Sequence, residues 1–207
     1  MNEEQAVLDF FAQAENLLLA LSVAEQTDNI RLQMNNDFWH RARARIAEAA
    51  PDWRISLTED RNVPDCYVGL HLQPSTEQST YLRPMMEQQL TAGEMRIYFG
   101  LVWNTTPVAD ATVLPQIARL REVLQSLGFK SNEGFLAWRW TALYPRRKHF
   151  LLRLSARPDE LLNEATAPLL ELLAEYGKEL NLSNAALRDK GASSAVSLDN
   201  LRMNLQR

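Results

Sequence analysis

The residues of this chain that could do chemistry are three histidines, one cysteine and a scatter of carboxylates. His40, His71 and His149 fall on separate predicted elements, and no two stand three or four apart. A metal site would need carboxylates gathered from distant segments. Cys66 is the only cysteine, which excludes an internal disulfide and a cysteine-rich zinc site. A lone cysteine at a strand start ordinarily packs as a small apolar side chain. No G-x-S-x-G, P-loop or G-x-G-x-x-G motif occurs. No catalytic residue is assigned, no cofactor is expected, and the expectation is a non-enzymatic protein.

One pair of carboxylates would form a metal site if two predicted strands lie side by side. Asp65, after Pro64, opens one predicted strand, and Glu94 opens another about thirty residues on. Metal-dependent nucleases of the PD-(D/E)XK type use two such acids on neighbouring strands, with lysine two residues after the second. Here that position is Arg96, which stays charged but carries protons poorly. Asp65 and Glu94 form the weak metal alternative beside a turn-capping role for Asp65.

The richest local signal is residues 136–157. Arg139, Arg146, Arg147, Lys148, Arg153 and Arg157 are cationic, and the segment holds no Asp or Glu. Trp138, Trp140, Tyr144 and Phe150 are interleaved. Cations attract phosphates and aromatic faces stack on unpaired bases, so the segment reads as an anion- or partner-binding hairpin. Arg139, Arg146, Arg147, Lys148 and Arg153 would bind, and Trp138, Trp140 and Tyr144 would stack. The plainer reading makes the tryptophans core and the charges a solvated turn that guards a sheet edge.

The elements that must position these residues follow from periodicity. Val7, Phe10, Phe11, Ala14, Leu17, Leu18 and Leu21 make an apolar helical stripe that docks on the core or on a second subunit. On that basis, Phe10→Asp costs several kcal/mol. A polar interval at 25–29 precedes a second helix, Asn36–Ala49, stopped by Pro51. Period-2 patterning then predicts strands at 53–58 and 65–73. Tyr81–Leu90 reads as a short helix, Glu94–Trp103 as a long strand, and Pro115 as the first turn of a helix ended by Gly128. Strands follow at Gly134–Leu143 and His149–Ala156. Pro158 opens a closing helix that Pro168 should kink or split. Leu187, Val196, Leu198, Leu201 and Leu205 offer a late helix in an otherwise polar tail.

The predicted order is α-α-β-β-(α)-β-α-β-β-α, an α+β fold with an antiparallel sheet of about five strands and helices packed on it. Residues 1–182 form the expected domain, with a helical part at 1–50, a sheet region at 51–157 and a closing helix at 158–182. Residues 183–207 are the expected tail. At 207 residues, 46% apolar and net charge −4, the chain suits one sizeable core and not a surface that coats nucleic acid. The acidic start and the absence of a long apolar run predict a cytoplasmic protein with no membrane partner, and residue usage suggests a bacterial source. The expected function is a protein-interaction or regulatory module acting through its sheet face, N-terminal helix or basic hairpin. Its expected partner is a protein, with a homo-dimer through Val7–Leu21 as one form. The alternative is nucleic-acid binding, or a degenerate nuclease-like domain, through 136–157.

Overall fold

The computed structural model describes residues 2–58, 68–107, 109–191 and 195–200. Five strands form one antiparallel sheet in sequence order: β1 (Trp53–Thr58), β2 (Gly69–Pro74), β3 (Leu82–Thr91), β4 (Glu94–Trp103) and β5 (Phe135–Trp140). Helices α1 (Glu3–Ala12) and α2 (Ala14–Ala49) precede it, and α3 (Ala109–Thr112) and α4 (Pro115–Ser126) lie between β4 and β5. Helices α5 (Lys148–Ala156) and α6 (Pro158–Asp189) follow. This is the expected α+β class.

One face of the sheet carries the core. Leu70, Leu72, Met86, Ile97, Phe99 and Leu101 meet Phe38, Trp39, Ala42 and Ile46 of α2 and the apolar stripe of α6. Trp39 Nε1 donates to buried Gln88 Oε1 at 2.9 Å, which locks α2 to β3. Asn184 of α6 does the same from the other side. Its Oδ1 accepts from Tyr81 N and Leu82 N at 2.8 and 2.9 Å, and its Nδ2 donates to Leu82 O at 3.0 Å. The β2–β3 ladder covers only Met85, Met86 and Glu87. Beyond it, Asn184 replaces the missing strand, and Thr80 pairs instead with Val196.

Four expectations change. Tyr81–Leu90 is not a helix: β3 occupies Leu82–Thr91. Pro84 forbids a good helix there and is tolerated in this strand because it sits where the β2 ladder has ended. His149–Ala156 is not the fifth strand but lies in α5. Phe150 and Leu154, four apart, are buried there while Leu152 is exposed, so helical spacing wins over the alternation. The closing helix runs past residue 182 to Asp189, with Pro168 inside it and no division. The tail is anchored where it is described: Leu187 and Leu198 are buried, and Leu198 N donates to Gln73 Oε1. Leu201 and Leu205 lie outside the described residues.

The fourth change is at the N-terminus. Gln13 adopts an extended backbone, and Asn16 Nδ2 takes the carbonyl of Phe10 at 3.1 Å. The stripe is thereby cut into α1 and α2, which meet at 106°. The polar interval at 25–29 does not interrupt α2, whose first fully buried residue is Phe38. The stripe is not docked on the core.

Candidate functional site

Alternation along β4 sends Ile97, Phe99 and Leu101 to the helices and Arg96, Tyr98 and Gly100 to the opposite face. On β5 the register shifts between Leu101 and Val102, so Phe135 joins Trp138 and Trp140 on that second face while Leu136 enters the core. A Cβ on Gly100 would sit 2.1 Å from Ala137 O, so glycine is what lets β5 approach. Tyr98 is the hub of an aromatic plate, edge-on to Phe135, Trp138 and Trp140 at 5.8, 6.2 and 5.3 Å. Trp138 Nε1 is buried there with no acceptor among the described residues.

Cations flank the plate in a ladder. The Arg96 guanidinium lies between Trp140 and Tyr144, 5.3 Å from each centroid, and Arg96 Nε donates to Thr141 O at 2.8 Å. No acceptor for its terminal nitrogens occurs among the described residues. Arg147 also stacks on Tyr144, 3.9 Å from its centroid, and Lys130 lies 5.6 Å from that of Trp138.

The same face continues across β3 and β2 as a buried polar strip. Arg83 Nε donates to His71 Nδ1 at 3.0 Å, and its Nη1 donates to Asn104 Oδ1. Tyr98 Oη donates to Glu87 Oε2 at 3.2 Å. Burial pushes the Glu87 carboxyl up to about 7, against the pull of the Tyr98 hydroxyl and the Arg83 charge. Burial and then Arg83 hold the His71 imidazole well below its ordinary value. Burial lowers the Arg83 guanidinium to about 10, so it stays charged at neutral pH.

The expected basic hairpin is dispersed. Arg139 lies on the core side, over Phe99 and Phe129, and donates to Leu127 O. Arg147 makes a forked ion pair with Glu94 at 2.6–2.9 Å, and Arg153 of α5 pairs with Glu164 of α6 at 2.5 Å. Arg146 is half-buried beside Arg31 and Asn35, and Lys148 is exposed at the start of α5. Trp138, Trp140 and Tyr144 do come together. Arg96, Lys130 and Tyr98 join them, none of the three being expected beside these rings from the sequence. There Arg96 enters only as the residue two after Glu94 in the metal alternative, and Tyr98 only as a position in the strand Glu94–Trp103.

Asp65 and Cys66 lie outside the described residues, and Glu94 is engaged by Arg147. Among the described residues no three His, Cys, Asp or Glu side chains gather as a metal site. His40 and His149 are exposed on helices, away from buried His71.

The second surface is the N-terminal arm. Ten large apolar side chains from Val7 to Ile30 are exposed, Leu18 by 76%. No single described helix is long and apolar enough to cross a membrane; only bent α1 and α2 together pass on length and composition. No family model, curated protein or solved structure matches the chain.

Proposed function

We propose that this chain is a non-enzymatic protein-interaction module whose N-terminal arm, α1 with the first half of α2, is its docking element. The carrying observation is the exposure of ten large apolar side chains between Val7 and Ile30, outside a core that is complete without them. At about half exposure they present on the order of 800 Å² of apolar surface. That exceeds what a monomer ordinarily leaves open and equals one side of a standard interface. The reading is tested with Phe10→Asp and Leu18→Asp combined in the full chain. The expected result is an unchanged melting temperature and loss of the proteins that copurify with the wild type. A melting temperature lowered by more than about 5 °C would place the arm in the core and overturn the reading.

Nucleic-acid binding is a second reading, supported by one observation: the Arg96 fork held open between two rings beside the aromatic plate. It narrows the alternative from the whole 136–157 segment to Trp138 and Trp140, and adds Arg96 and Lys130 from outside it. On this reading a labelled single-stranded oligonucleotide binds at low salt, releases as salt rises, and fails to bind Arg96→Glu. No binding to the wild type at low salt removes it.

A further inference from the structure

The arm's charge and wheel say what kind of partner it fits, given the docking role proposed above. Its residues 17–23 read Leu-Leu-Leu-Ala-Leu-Ser-Val. At 100° per residue, Leu17 and Leu21 lie on one side, Leu19 and Val23 nearly opposite, and Leu18 between. All five are exposed by between 46% and 76%. A helix apolar all round is a helix meant to be enclosed, since one flat contact leaves its far side in water. Among the described residues no other continuous apolar surface is open to receive it. The other exposed large apolar side chains, Leu90, Val113, Val123, Leu127, Leu152 and Leu182, are scattered over five segments of the chain.

Charge narrows the occupant. Residues 3–30 contain Glu3, Glu4, Asp9, Glu15, Glu25 and Asp28, with no Lys, Arg or His. The whole chain carries −4, so removing the arm's −6 leaves +2 on the remainder. Two arms packed on each other would face carboxylates with carboxylates. A membrane surface is disfavoured for the same reason: helices that lie in it are rich in Lys and Arg, and anionic headgroups repel this arm. We infer that the arm is received by a groove on a different protein, with an apolar interior that closes around residues 17–23 and a rim of Lys and Arg that pairs the arm's carboxylates.

The test places a photo-crosslinking amino acid at Leu19 and, separately, at Leu21 of the full chain in the cells that make it. Enclosure predicts that both positions capture the same foreign protein, through apolar peptides flanked by Lys or Arg. With that protein purified, affinity should fall as salt rises, and Glu15→Lys, Glu25→Lys and Asp28→Lys together should weaken it at least tenfold. Capture of the chain itself, capture from one position only, or an affinity indifferent to charge reversal overturns this inference while leaving the docking role standing. Capture of lipid, or of nothing at either position, overturns both.

Discussion

Glu87 and His71 share the buried polar strip and respond to pH in opposite directions. The folded state keeps the Glu87 proton up to about pH 7, whereas the unfolded chain releases it near 4.5. Stability from this group is therefore lost as pH rises from 4.5 to 7, by up to about 3 kcal/mol. His71 stays neutral in the fold, while the unfolded chain takes a proton below 6.5. Its contribution is lost as pH falls through 6.5. Urea midpoints across pH 4.5–7.5 separate the two. The wild type should lose stability relative to Glu87→Gln on going up in pH, and relative to His71→Asn on going down. Equal slopes for all three proteins would show that neither group is buried as described. Backbone geometry supplies a second residue-scale outcome. Ala92 and Gly93 form the β3–β4 turn with φ of 51° and 82°, and alanine is poorly suited to the left-handed region. Ala92→Asn should raise stability by about 0.5–1 kcal/mol in chemical unfolding. A loss of stability would mean that the turn is not of this type.

Asn184 carries the element scale. One side chain from α6 satisfies two backbone donors at the start of β3, where β2 has diverged and Pro84 offers no donor. Asn184→Leu leaves those N–H groups buried without acceptors, at a cost of about 3 kcal/mol. Hydrogen exchange should then accelerate at Tyr81 and Leu82 and not at Ile97 in β4. Protection unchanged at Tyr81 would mean that the helix-to-strand bridge is dispensable. Strand β5 depends on a close approach in the same way. Gly100→Ala drives a methyl group into the Ala137 carbonyl, so a loss of about 3 kcal/mol is expected, with the β4–β5 pairing and the aromatic plate disturbed first. Near-ultraviolet circular dichroism of the Tyr98–Trp138–Trp140 cluster reads that change directly. An unaltered spectrum would count against the packed plate.

For the whole molecule, charge divides between an arm of −6 over residues 3–30 and a remainder of +2. The expected cost of several kcal/mol for Phe10→Asp does not follow from the fold, because Phe10 is 52% exposed. Removal of residues 1–27 should leave the melting transition in place and reduce aggregation of the purified chain. A truncated chain that fails to fold would show that α2 needs its free half. Within the expected basic segment Arg147 and Arg153 each hold a carboxylate, Glu94 and Glu164, while Lys148 is exposed. Arg147→Gln should therefore leave the melting temperature essentially unchanged, as loss of an exposed ion pair does.

Periodicity alone determined the helix at 115–126, the strands near 53–58 and 94–103, the start of α6 and the α+β class, because each shows one period and a clear stop. Where two periods coexist, local pattern could not decide. Tyr81–Leu90 and His149–Ala156 each fit a strand or a helix, and tertiary partners chose: β4 paired with the first, and Phe38 with α6 enclosed the second. The tryptophans were visible as a group, but not Arg96 and Lys130 beside them. Which cations meet which rings depends on a register shift in β5 and on Gly100, neither of which leaves a local signature. The stripe at Val7–Leu21 was legible as apolar and helical. That it stays exposed is a fact about the rest of the molecule, in which the described core engages α2 only from Met34 onward.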